Sequence, residues 1–220
     1  MEKLFKSPIL FAFVRVIFYS LFLVLASYMV YLDSMILRET GKFMEDSFTE
    51  WTQEIILLLA AVMYFISGRI DRKTTGFTGM MSGMCVIALI REYNNYFHSW
   101  FRGAWQMWVI VALIIFGVYI YKNRKTFTAP FREFLKHPSF GVNLSAFVTI
   151  VVFSRLFGRK VIWENILEVD VLVDQYRWVK NAAEEGTELM GYALLFIAAV
   201  EYFIYILAKK KIPEEYMRTE

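Results

Sequence analysis

The chain has 220 residues, 58% of them hydrophobic and only 20% charged, below the charged share of about a quarter found in soluble domains. A net charge of +3 is too small to argue for nucleic acid as a partner, and four Pro exclude a proline-rich linker architecture. One Cys permits no internal disulfide, and two His with that Cys do not spell a zinc site. No metal is expected and no cofactor is signalled, a single-His haem ligand staying open.

Residues 1–8 carry Lys3 and Lys6 and resemble the start of a signal peptide. The apolar run behind them, 9–32, is long enough to cross a bilayer and shows no small-residue cleavage site, so it reads as the first span. Arg15 lies within it and either snorkels to the headgroups or pairs with a buried acid. The connection 33–50 sets Asp33, Glu39, Glu45, Asp46 and Glu50 against Arg38 and Lys42. A second span covers 51–67, with Glu50, Gln53 and Glu54 at its mouth, and a short basic connection follows over 68–75. The third span, 77–97, contains Gly79-x-x-x-Gly83, a spacing that lets another helix approach closely.

Residues 91–105, REYNNYFHSWFRGAW, form the costliest polar interruption in the chain. On a helix turning about 100° per residue, Arg91, Asn95, His98 and Arg102 share one stripe, with Glu92 on its flank. The fourth span runs over 105–120, and the basic connection 121–140 is interrupted by Pro130 and Pro138. A short fifth span, 141–157, closes near Arg155; 159–181 has near-helical apolar spacing and reads as an amphipathic surface segment. The sixth span, 187–208, is stopped by Lys209, Lys210, Lys211 and Pro213. At its head Arg177, Asn181, Glu184 and Glu188 repeat the spacing of the first stripe.

The expected fold is therefore all-α: one polytopic domain, a six-span transmembrane helix bundle. The positive-inside rule puts both termini in the cytoplasm, with a bacterial inner membrane as the setting. Arg or Asp facing lipid at mid-span costs about 2.5–3.5 kcal/mol on insertion scales, so both stripes are expected to turn inward. Arg91 or Arg102 would then pair with Glu184 or Glu188 in an outward-open cavity. Its expected lining is Glu54, Arg91, Glu92, Asn95, His98, Arg102, Arg177, Asn181, Glu184 and Glu188. A separate inner-leaflet pair, Arg15 with Glu201, follows from their matching depth.

The leading functional reading is a non-enzymatic sensor, scaffold or subunit of a membrane complex. A second is transport or conduction of a small polar or anionic solute or an ion. A third is an intramembrane hydrolase or transferase using His98 with a carboxylate, although no H-E-x-x-H or G-x-S-x-G is present and no catalytic residue is assigned. The expected partners are membrane lipid, a second copy of the chain or another membrane subunit, and no nucleic acid. The tail Lys209–Lys211 is expected to attract anionic lipid.

Overall fold

The computed structural model describes residues 8–36, 43, 47–171 and 173–211. Lys3, Lys6, Arg38, Glu39, Lys42, Glu45, Asp46 and Pro213, which entered the topology argument, lie outside them. The described chain is helical, with no strand. The helices are α1 (Pro8–Met35), α2 (Phe48–Ile70), α3 (Thr75–Glu92), α4 (Asn94–His98), α5 (Ala104–Lys122), α6 (Thr128–Lys136), α7 (Pro138–Val148), α8 (Ser154–Phe157), α9 (Lys160–Leu167) and α10 (Asp174–Lys211). Six stretches of the described chain are long and apolar enough to cross a membrane: Ile9–Met35, Phe48–Ile70, Arg72–Glu92, Ala104–Lys122, Pro138–Phe157 and Gln175–Lys210.

Each expected span has a counterpart, but several boundaries move for identifiable reasons. The third span stops at Glu92 instead of continuing to 97, because Tyr93 leaves helical geometry at φ −76°, ψ 17°. The short α4 follows, and the chain then turns through Ser99–Gly103 before α5. The fifth span begins earlier, at Pro138, which suits the first helical position because its missing N–H would have no intrahelical partner there. Pro130 likewise sits in the first turn of α6, so the 121–140 connection carries a helix where the sequence suggested only interruption. The expected surface segment, 159–181, is split: α9 covers its first part, Glu168 takes the left-handed conformation at φ 53°, and the remainder from Asp174 is continuous with the last span. At 38 residues α10 is about 57 Å long, nearly twice the roughly 30 Å of a bilayer core.

The chain divides into two compact units. One comprises the residues up to Thr52 and Thr149–Ala193; the other comprises Gln53–Val148 and the residues from Leu194 onward. In the second unit the core is aromatic, with Phe77 of α3, Phe134 of α6 and Tyr202 of α10 at mutual ring distances of 5.0, 5.7 and 5.5 Å. Ala60, Ala61, Tyr64, Met81, Cys85, Ala199 and Ile206 complete it. Such ring pairs contribute about 0.5–1.5 kcal/mol each beyond area burial. Gly79 and Gly83 receive Tyr119 and Phe116 of α5, whose rings occupy the space a β-carbon would need. The small-residue spacing therefore serves contact between α3 and α5.

In the first unit Asp33, at the end of α1, is 2% exposed and caps α2 from outside its own segment. Its carboxylate accepts from the backbone N–H of Phe48 at 2.9 Å and of Thr49 at 2.7 Å, and from the Thr49 hydroxyl at 2.6 Å. The first N–H groups of a helix lack intrahelical acceptors and carry partial positive charge, so a buried carboxylate is stable there. Ser47 adds a second cap, accepting from Glu50 N–H at 3.1 Å.

Candidate functional site

The polar assembly of the first unit is built around a change in helix pitch. After α7 the chain makes a π turn over Thr149–Phe153 and resumes as α8 at Ser154. A π turn carries an extra residue and re-aims the side chains that follow it, and such turns are frequent at functional sites. Here they are Ser154 and Arg155. The Ser154 hydroxyl lies 2.7 Å from the carbonyl of Ile150 and 3.2 Å from Oε1 of Glu188. Arg155 reaches the same Glu188 oxygen at 2.7 Å and Glu184 at 3.3 Å, so one guanidinium spans these two carboxylates of α10.

Glu188 is 2% exposed, whereas the Arg155 side chain is 43% exposed. One end of the assembly is thus withdrawn from solvent and the other is open. Lys180 contributes a second cation to Glu184, one helical turn away on α10. Two cations and two anions cancel within the four named residues. Glu184 also packs into the space above Gly158, where any β-carbon would meet its carboxyl group at 2.5 Å. A side chain at this position would displace the Glu184 carboxyl group. Asn181 joins the edge of the group, donating to the carbonyl of Phe43 at 3.4 Å and accepting from Lys180 at 3.4 Å.

Asn181, Glu184 and Glu188 all lie on α10 and belong to this assembly, whereas Arg177, expected at the outer end of their stripe, is exposed. The cation that binds Glu184 and Glu188 is Arg155, which the sequence reading treated as the end of a span. Its only advance signal was a basic residue following an apolar run, a common pattern, while the π turn that aims it has no spelling.

The other stripe is not a single helical face. Arg91 is on α3, Asn95 and His98 are on α4, and Arg102 is in the turn before Gly103, which has φ +95°. Because Tyr93 interrupts the helix, the step from Arg91 to Asn95 no longer corresponds to a turn of one continuous helix. Arg91 bonds its neighbour Glu92 at 3.1 Å. His98 and Arg102 are exposed; of Asn95 only its place in α4 is described. His98 has no carboxylate partner among the described residues. Glu54 accepts a hydrogen bond from the Tyr93 phenol. That bond, with partial burial and the carboxylate charge, pushes the Tyr93 pKa up to about 12. Tyr93 thus fastens the end of α3 to α2, a role the sequence reading missed.

Arg15 has its guanidinium 5.5 Å from the Phe11 ring on α1, and Glu201 is a buried residue of α10 in the second unit. Among the described residues, no three His, Cys, Asp or Glu side chains are grouped to hold a metal ion. Cys85 is buried in the aromatic core.

No family model, no curated protein and no solved structure matches this chain.

Proposed function

We propose that the chain is a non-enzymatic integral membrane subunit, a sensor or scaffold of a bacterial inner membrane, with both termini cytoplasmic. The observation that carries this reading is Arg155 held between Glu184 and Glu188, with Lys180 balancing the second carboxylate. Buried charges that are already paired and hydrogen-bonded orient helices, and breaking one pair leaves an uncompensated ion that is costly to keep. The arrangement resembles a register-setting lock more than a nucleophile with its base. Orientation rests on the basic connections at 68–75 and 121–140 and the end of α10, which all fall on the cytoplasmic side of this topology. The charged head of α10 then faces outward.

The test is an exchange of charges read by two measurements. Arg155→Glu and Glu188→Arg are expected to lower the unfolding temperature in nanodiscs, and the double exchange to recover part of the loss. Proteoliposomes carrying the wild-type chain are expected to pass neither protons nor small anions above the lipid background. A flux present in the wild type and abolished by Glu188→Gln would replace this reading with transport. One observation favours that second reading: the open flank of Arg155 leaves guanidinium surface available to a small anion.

A further inference from the structure

The second unit carries a basic concavity that the proposed function does not use. Lys125, Thr128, Ala129, Arg132, Glu133 and Lys136 line an open cavity of about 530 Å³ along α6. Its three cations are exposed, whereas the opposite side of α6 is anchored by Phe134 in the aromatic core. The helix therefore satisfies its apolar face within the protein and presents its basic face outward. This differs from a surface helix that inserts its apolar face among acyl chains.

The only acidic residue of the lining, Glu133, is already engaged. Lys209 of α10 donates to both of its oxygens, at 2.6 and 2.7 Å, and the Tyr205 hydroxyl bonds it as well. Glu133 and Lys209 cancel as a pair, and among the described residues no ion pair engages Lys125, Arg132 or Lys136, three positive charges around the cavity. At one end of the cavity α6 begins without a side-chain cap, so the N–H groups of Thr128 and Ala129 add positive potential there. The cavity lies on the segment between the end of α5 at Lys122 and the start of α7 at Pro138, and Glu133 in its wall is bonded to Lys209 near the end of α10. A ligand there can put its charged end against α6 while its hydrocarbon chains follow the exposed apolar flanks of the spans.

We propose that this cavity is a binding site for the headgroup of an anionic phospholipid. The phosphate is held by Lys125, Arg132 and Lys136 along the exposed face of α6. Lys can meet phosphate as a point charge, whereas Arg132 can offer a planar pair of donors. A zwitterionic headgroup would bring its own ammonium against the three cations, which gives the site its preference.

The full chain purified in detergent and examined by native mass spectrometry tests this directly. Phosphatidylglycerol is expected to remain bound where phosphatidylcholine is stripped. Lys125→Gln, Arg132→Gln and Lys136→Gln should each weaken retention about fivefold, and together abolish it. Lys160→Gln, outside the cavity, should leave retention unchanged. Equal retention by the triple variant and the wild type would overturn the site. Displacement of phosphatidylglycerol by inorganic phosphate at comparable concentration would overturn the lipid assignment in favour of a free-anion site. Melting in phosphatidylcholine nanodiscs checks the fold of the triple variant, and if it melts early the three single variants decide the question. Loss of this binding leaves the Arg155 charge-exchange result unaffected, so the two proposals fail separately.

Discussion

At the scale of single residues, burial decides which charges matter. Glu188 is enclosed and Arg155 is its bound cation, so Arg155→Met should strand a carboxylate in a poorly solvated place. The expected loss is on the order of 3 kcal/mol in reversible unfolding. Glu188→Gln should cost less, because an amide can keep the contact with Ser154 and carries no charge. Equal losses for the two variants would show that shape, not charge, holds this contact. Glu133 supplies a pH signature on the opposite kind of site, a half-exposed one. Burial alone would raise its pKa, but the hydrogen bonds and charge from Lys209 and Tyr205 bring it below the ordinary value. A carboxyl group with a depressed folded pKa stabilises the fold above its unfolded pKa, and that contribution is lost as pH falls through the folded value. Lys209→Gln should therefore lower the melting temperature at neutral pH and narrow the difference from wild type below pH 4, roughly the carboxylate range.

At the scale of elements, the informative features are caps and pitch changes. Asp33→Ala removes three acceptor contacts from the start of α2 and should cost about 2 kcal/mol, the upper range for a helix cap, with Asp33→Asn recovering part of it. Hydrogen exchange confined to the first turns of α2 would report the same loss locally. Deleting Val151 should remove the extra residue and convert the π turn to α geometry while leaving Ser154 and Arg155 close to their present direction, because four α residues turn the chain nearly as far as five π residues. A double-mutant cycle between positions 155 and 188 should then keep its coupling; loss of coupling would mean that the π geometry itself is needed to aim Arg155. The apolar runs made these helices legible, and the GxxxG spacing correctly marked a close approach on α3. The breaks at Tyr93 and Glu168 were hidden because neither position has a Gly or Pro signal.

At the scale of the whole molecule, six stretches of the described residues are long and apolar enough to cross a membrane, which is consistent with an integral membrane protein. The orientation is open to a labelling test, since Cys85, the single cysteine, is buried and can be replaced by alanine to clear the background. With both termini cytoplasmic, Val161→Cys should react with an impermeant maleimide in intact spheroplasts, and Lys125→Cys only after permeabilisation. The reverse pattern would invert the topology.

The sequence by itself determined that the chain holds six runs long and apolar enough to cross a membrane and, except for the start of the last, where they lie to within a turn or two. Span length and apolar content are properties of consecutive residues, and a bilayer reads them one segment at a time. Helical spacing also put Glu184 and Glu188 on one stripe. Only the tertiary structure decided which cation meets them, because spacing defines a face and says nothing about the neighbour packed against it. That decision turned on the pitch change at Thr149–Phe153, which aims Arg155, and on Tyr93, which broke the competing stripe into separate pieces.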